Sequence, residues 1–138
     1  MTAYVDSSVL LRMVLGQRGV LRDWRRIETA VASSLVEVEC LRTLDRLRLH
    51  ERIPDDEIAR RREAVFRLLE RMNLVEPSRP VLTRAAQPLP TSLGTLDAIH
   101  LATASLWREE SGDDLLMATH DQALAVASRA VGLRVVGV

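Results

Sequence analysis

Five short apolar runs are spread along this chain, with helix-like stretches between them. Ala3-Tyr4-Val5, Ala30-Val31-Ala32, Leu74-Val75-Glu76, Leu115 to Thr119 and Leu133 to Val136 each read as a strand. Runs that are apolar at successive positions, rather than alternating, belong to strands buried on both faces. Strands of that kind alternating with helices make an α/β fold with a parallel sheet covered on each side. Strand order does not follow from the pattern.

The helices are marked by their ends. Asp6-Ser7-Ser8 forms a capping cluster before Val9 to Leu15, and Gly16 and Gly19 close that helix. Residues 20 to 28 read as a short helix. Ser33 or Ser34 caps a long helix to about Leu49, and Pro54 breaks the pattern. Asp55, Asp56 and Glu57 open the next helix and Arg67 and Arg71 lie toward its end, a polarity that suits the helix dipole. Val81 to Ala86 makes a short helix after Pro80, and Pro88 and Pro90 lead through a loop to Gly94. There, Gly94 supplies a turn and Thr95 an N-cap. Leu96, Ile99, His100, Leu101, Leu106 and Trp107 then recur at helical spacing with small residues between them, as expected of a helix buried on most sides. An alanine-rich helix ends at Ala130, with Gly132 as a left-handed cap.

The chain of 138 residues reads as a single domain, residues 1–138. Formal net charge is zero, so any attraction to a polyanion must come from local patches. All 19 basic residues are arginine, and nine of them fall between residues 42 and 71. That stretch reads as a solvated, salt-bridged face, with Asp56–Arg60, Glu57–Arg61 and Glu63–Arg67 at four-residue spacing, or as a phosphate-binding ridge. The aromatics Tyr4, Trp24, Phe66 and Trp107 are too few for a stacking platform for single-stranded bases. Cys40 stands alone and reads as a small core residue. No charged segment followed by an apolar run opens the chain, and no stretch nears the ~18 apolar residues of a membrane span. The expected location is the cytoplasm, with no membrane association.

Against this background the placement of acids is informative. Ligands in an open parallel sheet bind beyond the carboxyl ends of the strands. Asp6 directly follows the first apolar run, Asp121 follows the run ending at Thr119, and Asp97 lies in the first turn of the buried helix. Each alone can be a helix cap; together they can line one crevice. Glu39 and Glu37 lie on the helix before Leu49, and periodicity does not decide which points inward. Several carboxylates in one crevice repel one another and raise their own pKa values unless a cation joins them. Magnesium or manganese takes such oxygen ligands, and the chemistry it supports is phosphodiester hydrolysis.

Other chemistries lack their residues. There is no GxxxxGK[ST] or GxGxxG phosphate cradle. Asp6-Ser7-Ser8 lacks the second aspartate of a DxD phosphatase. His50, His100 and His120 have no zinc spacing with Cys40. His100 reads as a hydrogen-bonded structural residue and His120 as a residue at the rim. No GxSxG elbow supports a serine triad.

The segments YVDSSVLL at Tyr4–Leu11, SSLVEVECLR at Ser33–Arg42, LGTLDAIHLATA at Leu93–Ala104 and MATHDQAL at Met117–Leu124 together resemble the PIN domain. More narrowly, the chain resembles the VapC-type toxins of type II toxin–antitoxin pairs, over essentially its whole length. The resemblance implies a three-layer α/β/α sandwich around a mainly parallel sheet. It also implies a catalytic quartet of Asp6, Glu39, Asp97 and Asp121, which favours Glu39 over Glu37. Within the quartet, Asp6, Asp97 and Asp121 would ligate Mg2+ or Mn2+, and Ser7 and Thr119 would orient carboxylates. An RNA substrate, a homodimer and a cognate VapB-type antitoxin follow as expectations. Two alternatives are a protein-interaction module whose acidic pocket binds partner arginines and a PIN nuclease acting on structured DNA.

Overall fold

A computed structural model describes residues 1–138 and shows five strands and six α-helices in alternation. In chain order these are β1 (Thr2–Val5), α1 (Ser7–Val14), β2 (Thr29–Ser33), α2 (Leu35–Glu51), α3 (Asp55–Glu70), β3 (Asn73–Val75), α4 (Arg79–Ala85), α5 (Thr95–Ser111), β4 (Leu115–Ala118), α6 (Gln122–Ala130) and β5 (Arg134–Val136). Residues 20 to 28, expected as a short helix, form a 3-10 helix at Arg22–Arg26 only. The sheet runs β3-β2-β1-β4-β5 and every pairing is parallel. β1 is central, and the chain turns from one side of it to the other between β3 and β4. The carboxyl end of β1 is thus the switch point where a parallel sheet opens a crevice.

Side-chain alternation along the strands fills two layers. Ala3 and Val5 of β1, with Leu116 and Ala118 of β4, face α1, α2 and α3, where Val9, Leu10, Val36, Cys40, Leu44, Val65 and Leu69 are buried. Tyr4, Val31, Leu115 and Met117 face the other way, onto Leu101 and Ala104 of α5 and Leu124 and Ala127 of α6. The result is the three-layer α/β/α sandwich. Burial pushes the Cys40 thiol up to about 12, with the Glu39 and Asp6 charges adding to the effect, so it packs as a small apolar side chain.

The helix ends carry two corrections. Thr95 is the first residue of α5 rather than its cap; Gly94 is the N-cap, and no side chain bonds there. Ser34 occupies the cap position of α2, yet its hydroxyl donates to Glu76 at 2.9 Å. Ser33 Oγ instead accepts the Leu35 N–H at 3.2 Å. On α3, all three four-residue pairs form: Arg60–Asp56, Arg61–Glu57 and Arg67–Glu63. No helix is long and apolar enough to cross a membrane.

Gly137, just after β5, has φ +108°, and a Cβ there would lie 2.3 Å from the Thr119 carbonyl oxygen. Gly16, at φ +63°, has nothing within 4 Å of such an atom. Gly16→Ala is therefore expected to cost only the left-handed backbone penalty of about 1–2 kcal/mol. Gly137→Ala must in addition push the end of β5 away from β4. Chemical denaturation of both variants should show Gly137→Ala as the more destabilised, and equal losses would contradict this packing.

Candidate active site

Asp6 follows the central strand and serves as N-cap of α1, nearly fully buried at 3% exposure. Its Oδ2 accepts three hydrogen bonds: from Ser8 Oγ at 2.7 Å, Thr119 Oγ1 at 3.0 Å and the Ser8 N–H at 3.4 Å. Oδ1 is left facing His100, 4.0 Å from Nε2. Thr119 reaches two ways, because its hydroxyl also accepts the Asp121 N–H at 2.9 Å. Ser8 Oγ in turn accepts the His120 N–H at 2.9 Å. The loop after β4 is thereby tied to the first turn of α1, across more than a hundred residues of sequence. Asp121 caps α6 by accepting the Leu124 N–H at 2.8 Å.

Glu39 arrives from α2. On that helix Val36, Cys40 and Leu44 point into the core, Glu39 is half-buried beside them, and Glu37 is exposed. Glu39 Oε1 lies 2.5 Å from His100 Nε2, and Oε2 accepts from Ser7 Oγ at 3.2 Å. The donor atoms of Asp6, Glu39 and His100 all lie within 4.8 Å of one another. Asp97, on the first turn of α5, and Asp121 stand outside that trio. They are joined to it electrostatically: burial first, then the charges of Asp121 and Asp6, push the Asp97 carboxyl above its ordinary value, with His100 offsetting part of the rise.

His100 is fully buried, with a polar partner at each ring nitrogen. Nδ1 lies 2.6 Å from Tyr4 Oη, which already accepts the Ser33 N–H at 3.0 Å. Burial, together with the Asp6 and Glu39 charges, drives the Tyr4 pKa far upward and keeps the phenol protonated. A protonated phenol can donate to Nδ1, an arrangement in which Nε2 carries the ring hydrogen toward Glu39. Burial opposes a charge on His100, but the Glu39 hydrogen bond and the charges of Glu39, Asp6 and Asp97 outweigh it and raise its pKa.

Sequence reasoning passed over Tyr4 and Ser8 as site residues and placed His100 in a structural role. The available signals were small: Ser8 two residues beyond Asp6, and His100 three residues beyond Asp97 on one helix face. His120 turns away from the acids, and its Nδ1 donates to the Gly137 carbonyl at 2.7 Å.

No arginine pairs with any of the four acids. The arginine ion pairs lie elsewhere, with Asp23, Asp45, Asp56, Glu57, Glu63, Glu109 and Asp114. An oxygen-rich cluster left without a compensating guanidinium suits a hard divalent cation.

Comparison with known proteins agrees with this architecture. The sequence model of the PIN domain matches residues 3–129. The chain is 32% identical over 137 residues to Ribonuclease VapC46 of Mycobacterium tuberculosis, covering 96% of this chain and 95% of that one. Its fold is similar to that of a toxin–antitoxin complex from Klebsiella pneumoniae, with a TM-score of 0.68 and 18% identity over 95% of this chain and 93% of that one. It is also similar to that of VapC20 from M. tuberculosis, a toxin described as cleaving the sarcin–ricin loop, with a TM-score of 0.62 and 16% identity over 96% of each chain. At those identities the structural likeness speaks for the fold, and the sequence matches carry the kinship. The chain belongs to the PIN-domain family, within its VapC group.

Proposed function

We propose that residues 1–138 form one nuclease unit, a metal-dependent endoribonuclease that hydrolyses RNA phosphodiester bonds as the toxin of a VapBC-type pair. The observation that carries this reading is the acidic cluster at the carboxyl end of β1, which no arginine neutralises. Asp6, Asp97 and Asp121 would hold Mg2+ or Mn2+, and Glu39 would complete the oxygen set. When bound, such an ion polarises a phosphoryl oxygen and lowers the pKa of a water. The chain's own residues do the positioning: Ser8 and Thr119 fix Asp6, Thr119 also holds the turn that carries Asp121, and Ser7 orients Glu39. RNA is favoured over DNA because the 32% identical relative is a ribonuclease. A cognate VapB-type antitoxin, a homodimer and a cytoplasmic setting complete the proposal.

Asp6→Asn removes a charge while its amide oxygen can still accept the bonds now made to Oδ2. RNA cleavage is expected to fall by more than about 100-fold, beyond the loss that follows removal of a supporting residue. The thermal midpoint should stay the same or rise. Wild-type cleavage by this variant, or by the native protein in excess EDTA, would remove the mechanism. Calorimetric titration should detect Mg2+ or Mn2+ binding to the native chain; absence of heat would favour an acidic pocket for partner arginines.

Asp97 supplies a prediction with a definite sign. A carboxyl whose pKa is higher folded than unfolded binds its proton more tightly in the native state. It therefore subtracts stability above the folded pKa, and the loss is relieved as pH falls toward the unfolded value. Asp97→Asn should raise the thermal midpoint at pH 7 in EDTA, by an amount that shrinks on acidification through the carboxylate range. Scanning calorimetry reads this directly, and a lower midpoint at pH 7 would contradict it.

A further inference from the structure

We propose that His100 is a positioning residue for Glu39: its imidazole, locked in one tautomer by Tyr4, holds the carboxylate in place before any cation arrives. This role rests on the cation site proposed above.

The geometry is a buried relay of donors. The Ser33 N–H donates to Tyr4 Oη, the phenol donates to His100 Nδ1, and His100 Nε2–H donates to Glu39 Oε1. Ser7 Oγ–H holds the other carboxylate oxygen. A carboxylate gripped on both oxygens cannot rotate about its terminal torsion, which is otherwise soft. Each link also belongs to a different element. Tyr4 lies on β1 two residues before Asp6, Ser33 closes β2 and bonds the first turn of α2, and His100 lies on α5 one turn beyond Asp97. The relay thus ties together the three elements that carry Asp6, Glu39 and Asp97. A merely structural histidine needs only to satisfy its two nitrogens. Here one nitrogen faces the acids, 4.0 Å from Asp6 Oδ1, and the other is spent on fixing the ring. In this tautomer Nε2 bears hydrogen and has no lone pair to offer a cation, so His100 acts through Glu39.

His100→Leu, His100→Gln and Tyr4→Phe test the role. The leucine removes both ring bonds. The glutamine keeps an amide N–H that can reach Glu39. In His100→Leu, Mn2+ affinity and kcat are expected to fall by about 10–100-fold, with KM for RNA little changed because His100 touches no substrate. His100→Gln should recover most of the loss. At a pH above the raised His100 pKa, where the ring is neutral, nitrogen-15 spectra of the cation-free native protein should show Nε2 protonated and Nδ1 accepting, and Tyr4→Phe should lose that pure tautomer. If His100→Leu does not fold, Tyr4→Phe carries the test: its Mn2+ binding should weaken although His100 remains. Native-like Mn2+ binding in both His100→Leu and Tyr4→Phe would overturn the inference. So would a folded His100→Gln no better than His100→Leu, or a native spectrum in which the neutral ring carries its hydrogen on Nδ1. A native chain that binds Mn2+ but cuts no RNA would sink the nuclease proposal instead, leaving the Mn2+ and spectral measurements to decide this one.

Discussion

Gathering carboxylates at one end of a parallel sheet is electrostatically unfavourable, and much of the local structure can be understood as the means by which the chain tolerates it. Asp6 is nearly fully buried, where an ionised group without partners is costly. Three hydrogen bonds converge on one of its oxygens, and charge-assisted bonds of this kind are roughly twice as strong as neutral ones. Glu39 is met by an imidazole N–H and a serine hydroxyl. Asp97 is held less well: burial first, and then the charges of Asp121 and Asp6, raise its pKa, and His100 offsets only part of the rise. The cluster is thus stabilised where its parts must be fixed and left strained at one member.

The fold was legible because burial on both sheet faces leaves an unmistakable pattern. Leu115-Leu116-Met117 and Ala30-Val31-Ala32 have no polar alternation, and a strand of that kind must be covered on two sides. The end positions of the helices were less legible. Gly94 and Thr95 both suit a cap, and only backbone dihedrals distinguish them. The choice between Glu37 and Glu39 was not readable from periodicity, because α2 has apolar residues nearly all round. It depends on how α2 lies against α1 and β1, a tertiary fact. The Tyr4–His100 contact was invisible for the same reason: 96 residues separate the two, and each alone is unremarkable in an apolar segment.

The arginines illustrate a different limit. Between residues 42 and 71, Arg48, Arg60, Arg61 and Arg67 are engaged in ion pairs along their own helices. Exposed pairs of this kind contribute about 0–1 kcal/mol each. Their effect is less to stabilise the sheet than to quench local charge, so the arginine-rich helices present a weaker field than their composition suggests.

The bonds from Ser8 and Thr119 across the switch point have a consequence for biosynthesis. Thr119, which bonds Asp6, and the His120 amide, which steadies Ser8, lie more than a hundred residues further along the chain and leave the ribosome long after their partners. Until then the first strand has no neighbour on its β4 side. Up to that point the growing chain holds Asp6, Glu39 and Asp97 but no assembled centre.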